Sequence, residues 1–292
     1  MAPTVRPRRS ALYLPGNNLR VLEKGKLLPS DIVILDLEDA VGDEDKASSR
    51  QRVVDAVSAG DYRPREVVVR INGLGSKWHH ADVAAVARSG ADGVLVPKVQ
   101  TGDEVRALDS ALTVAGAPHD LKLWVMVETP GAFLRAEEIA AASERLAVLV
   151  IGTNDLINDL HALHRPGRAP IQTALSLAIL GARTAGKSIL DGVFNAIRDV
   201  EGFTDEARQG REMGFDGKTV IHPSQVEIAN TVFGPSDEEL SHARTVVAAY
   251  KQARAIGESV IVVDGKMIEE LHVRDARRIL ALAATIDDLA AV

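Results

Sequence analysis

Short apolar runs alternate along the chain with longer stretches in which apolar residues recur at helical spacing. Several of the runs are continuously apolar, which is typical of strands that are covered on both faces. We predict eight strands: Ser10–Leu14, Asp31–Asp36, Val67–Ile71, Gly93–Val96, Leu123–Val127, Ala147–Ile151, Ser188–Leu190 and Thr219–Ile221. We predict helices between them at Lys46–Ala59, Trp78–Ser89, Asp103–Ala115, Ala136–Ser143, Gln172–Ala185 and Asp205–Met213.

Strands and helices that alternate in this way predict an α/β fold with a parallel sheet. Eight strand–helix units, at about 30 residues each, predict a closed (β/α)8 TIM barrel. An open doubly wound sheet is the alternative. It is weakened because no G-x-G-x-x-G motif follows the first strand.

The pattern changes after residue 222. Ser236 and the acids behind it indicate the start of a long helix that runs to about Ile256. A short strand at Ser259–Val263, a turn at Asp264-Gly265 and a helix at His272–Leu289 complete the chain. We expect a flexible basic arm at 1–9, a TIM-barrel catalytic domain at 10–235, and a C-terminal helical and hairpin extension at 236–292. The extension would cover the barrel as a lid or contact a neighbouring subunit.

Composition narrows the classes of function. The formal net charge of the 292 residues is -7, which does not indicate a nucleic-acid-binding surface. The absence of cysteine excludes disulfides, thiolate metal sites and a cysteine nucleophile. No apolar run reaches the roughly 18 residues that a membrane span needs, and the basic N-terminal segment lacks the apolar core of a secretory signal. We therefore expect a cytoplasmic protein that does not bind membranes.

Carboxylates follow the predicted strands at the end where a TIM barrel gathers its reactive groups. Five of them are expected to converge on one mouth: Glu38, Asp39, Glu128, Asp155 and Asp191. Crowded carboxylates repel one another unless a cation or protons neutralise them. An oxygen-rich set without cysteine favours Mg²⁺, or Mn²⁺, over zinc. The alternative is that these acids cap the helices that follow them.

Basic residues near the same strand ends have more than one possible role. The guanidinium of Arg70 suits a bidentate grip on a carboxylate or phosphate, or an internal salt bridge to a mouth acid. Lys98 would be a Schiff-base nucleophile or, as we prefer, a charge-balancing or substrate-contacting lysine. His222 would be a ligand, a base or a structural residue, and the run from Gly152 to Asp155 would offer backbone N–H groups to an anion. The polar loop beyond this run is expected to be solvated: His161, His164, Arg165 and Arg168.

Motifs spread over roughly residues 9 to 285 resemble, in the right order, one known family. They are LYLPGNN, DIVILDLEDAV, VVVRIN, GVLVPKV, WVMVETP, VLVIGTNDL, LDGVFN, GFDGKTVIHPSQV and VDGKMIEE. This set resembles the citrate lyase β-subunit-like and malyl-CoA (citramalyl-CoA) lyase family of the HpcH/HpaI aldolase superfamily. The combination of LDLEDAV with the GF-GK-IHPSQ segment is its most specific part.

The resemblance implies a role for individual acids. Glu128 and Asp155 match the direct Mg²⁺ ligands of the family, and Glu38 and Asp39 match acids that hold metal-bound water. Arg70 matches the arginine that holds the carboxylate or oxygen of the keto acid.

Further matches concern the substrate. Backbone N–H groups of Gly152, Thr153 and Asn154 would cradle the same carboxylate. Arg20, Lys24 and Lys26 fall in the segment that meets the CoA phosphates. In many members a C-terminal GxMID motif supplies an aspartate to the active site of the neighbouring subunit. This chain has Glu269 at that position, which lengthens the acid by one methylene group.

The implied activity is that of a Mg²⁺-dependent carbon–carbon lyase. It would cleave or form a 3-hydroxyacyl-CoA such as malyl-CoA or citramalyl-CoA, with an acyl-CoA and a 2-keto acid as the other partners, in a homotrimer or homohexamer. One alternative is a malyl-CoA thioesterase. A second is the β-subunit of a citrate lyase complex, acting on an acyl-carrier-protein thioester, and a third is a catalytically silent protein that binds a small acid.

Overall fold

The computed structural model describes residues 6–255, 261–263 and 265–290. The chain divides into two compact units. One is Arg8–Phe233, and the other consists mainly of residues from Gly234 onward.

Eight parallel strands of the first unit close into a barrel in the order of the sequence, from β1 to β8, with β8 paired to β1. The predicted TIM barrel is therefore confirmed. The strands are β1 Ser10–Pro15, β2 Ile32–Asp36, β3 Glu66–Arg70, β4 Gly93–Val96, β5 Lys122–Val127, β6 Leu146–Ile151, β7 Ser188–Asp191 and β8 Gly217–Val220.

Alternate side chains of the strands fill the inside of the barrel, because successive residues of a strand point to opposite faces. The interior cluster consists of Ala11, Ile32, Ile34, Val68, Leu95, Trp124, Met126, Val148, Val150 and Leu190. A step of two residues from the last interior side chain reaches the open end of the barrel. On β2, β3 and β5 that step leads to Asp36, Arg70 and Glu128. The alternation of side chains along each strand thus places these three residues at the candidate site.

Helices cover the outside of the barrel. They are α1 Leu19–Gly25, α2 Lys46–Ser58, α3 His79–Val86, α4 Gly102–Val114, α5 Pro130–Leu134, α6 Ala136–Ala141, α7 Thr153–Asp159, α8 Gln172–Thr184, α9 Val200–Met213 and α10 Pro223–Phe233. We did not predict α1, α5, α7 and α10. Each begins within four residues of a strand end, where polar residues interrupt the helical spacing. No helix among the described residues is long and apolar enough to cross a membrane.

The first residues of the barrel unit are anchored, so the flexible arm that we expected at 1–9 does not extend to Arg8 and Arg9. The Arg8 guanidinium is 2.8 Å from Glu66, and that of Arg9 is 2.7 Å from Asp31. These acids precede or begin strands at the opposite end of the barrel from the mouth, and they neutralise both arginines.

The second unit contains α11 Asp237–Ala255, β9 Ile261–Val263, β10 Lys266–Ile268 and α12 Glu270–Ala290. The predicted helix start is confirmed, since the Glu239 N–H donates to Ser236 Oγ and the Ser236 N–H donates to the Glu239 carboxylate. The predicted strand is present at Ile261–Val263, where it pairs with β10. Its first two predicted residues, and Asp264 of the predicted turn, lie outside the described residues.

Candidate functional site

A cavity of about 370 Å³ opens at the carboxyl ends of the strands. This is the end at which TIM barrels carry their active sites. Its lining is polar and charged beside a few apolar groups: Tyr13, Pro15, Asp36, Asp39, Ala40, Arg70, Met126, Glu128, Ile151–Asp155, Val193, Asn195, Thr219 and Ile221. Predicted site residues from four separate chain segments therefore meet in one cavity.

Glu128 and Asp155 are the two acids of the cavity that match metal ligands in the resemblance. Glu128 directly follows β5 and is only 4% exposed, whereas the Asp155 side chain, in the first turn of α7, is 40% exposed. The Lys98 N–H donates to Glu128 Oε1 over 2.7 Å. Burial, and then the charge of Asp155, raise the pKa of Glu128 to about 7. A buried carboxylate with this pKa is one whose negative charge is poorly neutralised by the protein itself.

These two acids fit Mg²⁺ by their chemistry. Among the described residues there is no group of three or more His, Asp or Glu side chains that could hold a metal. A site that depends on protein ligands alone is thus not formed. Mg²⁺, however, is commonly held by one or two carboxylates, with water and substrate oxygens in the remaining positions. A pair of carboxylates at an open cavity, one of them buried with a raised pKa, matches this type of site.

Glu38 and Asp39 follow β2. Asp39 lines the same cavity, and both acids line a neighbouring one. Burial raises the pKa of Glu38 to about 7, with Arg70 opposing the rise and Asp39 adding to it. Glu38 Oε2 is 2.9 Å from Arg70 Nη1. The Asp39 side chain is 68% exposed and lies 3.5 Å from the same nitrogen. Both acids are therefore at the mouth, as predicted, and Glu38 is the more enclosed of the two.

Arg70 makes the internal salt bridge that was one of the two predicted alternatives. Its Nε and Nη2 donate to the two oxygens of Asp36 over 2.7 and 2.6 Å. The guanidinium also lies 4.9 Å from the ring of Tyr13. Asp36 therefore occupies the Nε–Nη2 side of the guanidinium, whereas Nη1 faces the acids of the mouth and is 2.9 Å from Glu38 Oε2. Sequence reasoning missed Asp36 as a site residue, although it lies two residues after the inward-facing Ile34.

Asp191 was expected at the mouth, and this prediction is wrong. Its carboxylate is fully buried outside the barrel interior, 2.6 Å from Arg168 and 2.9 Å from Lys218. Burial acts to raise the pKa of Asp191, but the charges of Lys218 and Arg168 outweigh it and hold the pKa below its usual range. The phase of β7 is the reason, since Leu190 points inward and the next side chain points outward. Arg168, expected in a solvated loop, is buried as the partner of this acid.

The glycine-led run after β6 is only partly available as an anion cradle. The Gly152 N–H donates to the Val127 carbonyl over 3.1 Å, so the predicted contact of this N–H with a substrate is wrong. Thr153 and Asn154 begin α7, and the first N–H groups of a helix have no acceptor within it. The Asn154 side chain accepts a hydrogen bond from Asn195, 2.7 Å away. Thr153 and Asn154 thus retain the predicted position at the cavity.

The contacts of Lys98 and His222 support a different role for each residue. Lys98 Nζ lies 3.6 Å from Asp155 and 3.9 Å from Glu38, which supports charge balance. His222 is exposed, and its Nδ1 accepts the N–H of Ser224, which supports a structural role at the start of α10.

A second cavity, also of about 370 Å³, lies beside α1 and is lined by Asn17, Asn18, Leu19, Arg20 and Arg52. Arg52 of α2 was not predicted, and its buried Nη1 has no hydrogen-bond partner among the described residues. Lys26 hydrogen-bonds to both Glu23 and Asp61, which occupy its ammonium group. Lys24 is exposed on α1. Of the predicted phosphate contacts, Arg20 is therefore the one that lines a cavity with a second cation.

Glu269 belongs to the second unit. It is exposed immediately before α12, and its N–H donates to His272 Nδ1 over 3.0 Å. Its role as an acid or base stays a prediction.

Comparison with known proteins agrees with the barrel fold and shows the family of the chain. Residues 9–223 match the HpcH/HpaI aldolase/citrate lyase family, and the chain belongs to this family. It is 46% identical to a (3S)-malyl-CoA thioesterase of Cereibacter sphaeroides over 98% of both chains. It is 32% identical to the L-malyl-CoA/beta-methylmalyl-CoA lyase of the same species over 97% of both chains.

A solved structure is similar over almost the same length. It is the protein CitE of Mycobacterium tuberculosis in complex with magnesium, acetoacetate and coenzyme A, which is 30% identical with a TM-score of 0.73. The comparison covers 94% of this chain and 97% of that one. The family thus includes a member crystallised with the divalent cation for which Glu128 and Asp155 are suited.

Proposed function

We propose that this protein is a Mg²⁺-assisted thioesterase that hydrolyses a malyl-CoA-type 3-hydroxyacyl-CoA to the hydroxy acid and free CoA. The observation that carries the proposal is the 46% identity, over 98% of both chains, to a (3S)-malyl-CoA thioesterase. The acidic mouth described above supplies the chemistry that such a substrate requires.

The acid end of the substrate would enter the barrel mouth. Arg70 Nη1 and the N–H groups of Thr153 and Asn154 would donate to its carboxylate. Asp36 holds the guanidinium in place through two short hydrogen bonds, so that the remaining donor is preorganised. A lysine could not form this planar two-point contact with Asp36, so its ammonium group would not be held in the same position.

Glu128 and Asp155 would hold the Mg²⁺. When bound, this ion polarises a substrate oxygen and neutralises developing negative charge, as a Lewis acid does. Within the protein, the Lys98 N–H fixes the direction of the Glu128 carboxylate.

In the hydrolytic step, a water oxygen forms a bond to the thioester carbonyl carbon, and the carbon–sulfur bond then breaks. The proton lost by water passes to a carboxylate of the mouth and from there to the leaving sulfur. Glu38 is the best placed of these acids, because its raised pKa makes it an effective proton acceptor near neutral pH. The products are a carboxylic acid and the thiol of CoA.

The phosphate-bearing tail of CoA would lie outside the mouth, against Arg20 and Arg52. Pro15 lines the mouth cavity and Asn17 lines the second cavity. Lining residues of the two cavities are therefore only two positions apart along the β1–α1 loop. Two guanidinium groups in one cavity suit a phosphate.

A carbon–carbon lyase is the second candidate, and the 32% identity to a malyl-CoA lyase over 97% of both chains favours it. Both reactions use the same bound thioester. They differ in the bond that breaks, and hence in their products. The lyase would release a 2-keto acid and a shorter acyl-CoA, with a proton removed from the substrate hydroxyl by Glu269 of a neighbouring subunit in a homotrimer or homohexamer.

The deciding experiment incubates the purified full chain with Mg²⁺ and a panel of 3-hydroxyacyl-CoA esters that includes malyl-CoA and citramalyl-CoA. We expect free thiol and hydroxy acid in equal amounts, and loss of both products in EDTA. Keto acid together with a shorter thioester would replace the proposal by the lyase. Activity on an acyl-carrier-protein thioester but on no CoA ester would instead indicate a citrate lyase subunit.

A further inference from the structure

Lys98 has a backbone conformation that side-chain-bearing residues rarely adopt. Its φ is 57°, in the left-handed region, where a non-glycine residue is strained unless its surroundings hold it there. In this conformation the Lys98 N–H donates a hydrogen bond of 2.7 Å to Glu128 Oε1. Such strain is typical of functional sites, where it accompanies the fixed position of a reacting or binding group.

The ammonium group of the same residue returns to the acidic mouth. Lys98 Nζ is 3.6 Å from Asp155 Oδ2 and 3.9 Å from Glu38 Oε1, while half of the side chain, 51%, stays exposed. One residue therefore contacts three acids: its N–H holds Glu128, and its charge lies between Asp155 and Glu38. The distances exceed those of close hydrogen bonds, so the ammonium group is attracted to these acids without being locked to either.

We propose that Lys98 is the resident counter-ion of the acidic mouth, and that a divalent cation must displace its ammonium group from Asp155 in order to bind. The inference rests on the proposed assignment of Glu128 and Asp155 as the cation ligands. A divalent cation bound at Asp155 would repel an ammonium group a few ångströms away, because both are positively charged. The two therefore compete for the one negative charge of Asp155. The lysine thereby stabilises the cation-free protein and weakens cation binding.

The neutral variant Lys98→Met tests this, since methionine retains an unbranched side chain without the charge. In the absence of substrate we expect calorimetry to show Mg²⁺ binding that is tighter by on the order of tenfold. In EDTA the melting temperature should fall, because Asp155 and Glu38 then repel each other without a cation. Saturating Mg²⁺ should restore most of that loss. Lys98→Arg, which keeps the charge, should resemble the wild type in both measurements.

Lys77→Met is the matched control, because Lys77 is an exposed lysine whose partner is Asp43 and not an acid of the cation site. An Mg²⁺ affinity and an EDTA melting temperature for Lys98→Met that equal those of Lys77→Met would overturn the inference. Weaker Mg²⁺ binding by Lys98→Met would overturn it as well, since the lysine would then assist the cation. If the wild type itself binds no Mg²⁺, the proposed cation site fails, and this result is recognised before any variant is compared.

Discussion

Gly152→Ala should remove activity without unfolding the protein. Gly152 has φ -101° and ψ 89°, which an alanine can adopt, so the backbone itself is not the obstacle. A Cβ built on Gly152 would lie 3.2 Å from Glu128 Cδ and would be nearer still to Glu128 Cβ and Oε2, inside the 3.0 Å that real Cβ atoms keep. The buried Glu128 side chain must therefore shift by on the order of half an ångström or more. A misplacement of about 1 Å at a reacting site can lower the reaction rate by about 10²-fold.

We expect kcat/KM for the CoA ester to fall by about 10²-fold, which corresponds to about 2.7 kcal/mol of transition-state stabilisation. The assay is thiol release at saturating Mg²⁺, accompanied by the melting temperature and by Mg²⁺ affinity from calorimetry. Gly42→Ala is the control, because a Cβ there meets nothing within 4 Å and the φ of Gly42 is -68°. A Gly152→Ala protein within about threefold of the wild type in kcat/KM and Mg²⁺ affinity would refute the assignment of Glu128 to the reacting site.

Four further substitutions test separate parts of the site and fold. Glu128→Gln and Asp155→Asn should each abolish Mg²⁺ binding in calorimetry while far-ultraviolet circular dichroism stays unchanged; retention of binding by either would contradict the ligand pair. Arg70→Lys should lower kcat/KM by about 10²-fold or more, because a compact ammonium group cannot form the planar two-point contact with Asp36 and also reach the cavity; near-normal turnover would contradict this. Asp191→Asn should cost about 3–5 kcal/mol in urea unfolding at neutral pH, since it leaves buried cations unpaired. The pKa of Asp191 is lower in the folded protein than its unfolded value of 3.8. The difference in free energy of unfolding between the variant and the wild type should therefore be complete above pH 3.8 and shrink as the pH falls below it. A difference that does not depend on pH would contradict the pairing.

The barrel was predictable from the sequence because its strands are buried on both faces. A continuous apolar run such as Ala147–Ile151 is too short for a buried helix and is typical of a strand covered on both faces when helical stretches flank it. The observed strand, Leu146–Ile151, begins one residue earlier. The short helices that begin beside strand ends were not predictable in this way, because the polar residues of the site interrupt their apolar spacing.

Strand phase explains which polar residues at the strand ends reach the mouth. Asp36, Arg70 and Glu128 each lie two residues after an inward-facing side chain, and all three reach the mouth. Asp191 lies one residue after such a side chain and faces the helices instead. A strand that is apolar throughout does not show which of its faces is inward, so the phase of β7 became clear only when the barrel closed.

The partners of buried charges were the other feature that the sequence could not supply. Arg168 reaches Asp191 across 23 positions of the chain, and Arg70 reaches Asp36 across 34. The need for a partner was evident from burial, because an unpaired charge inside a barrel is costly. The identity of that partner depends on loops whose paths have no periodic pattern.

Hydrolysis and carbon–carbon cleavage place the same demands on most of this mouth. In the proposed site, either reaction would have the acid end of the substrate held by Arg70, a cation held by Glu128 and Asp155, and the tail of CoA held outside. The two reactions break different bonds, and they also differ in which proton is removed first, that of a water beside the thioester or that of the substrate hydroxyl. Proton transfer requires a donor–acceptor distance of about 2.6–3.2 Å, and the extra methylene of Glu269, relative to aspartate, exceeds that tolerance. On the proposed mechanism, the choice between the reactions would therefore depend on where the base is placed, and relatives of this chain are named for either activity.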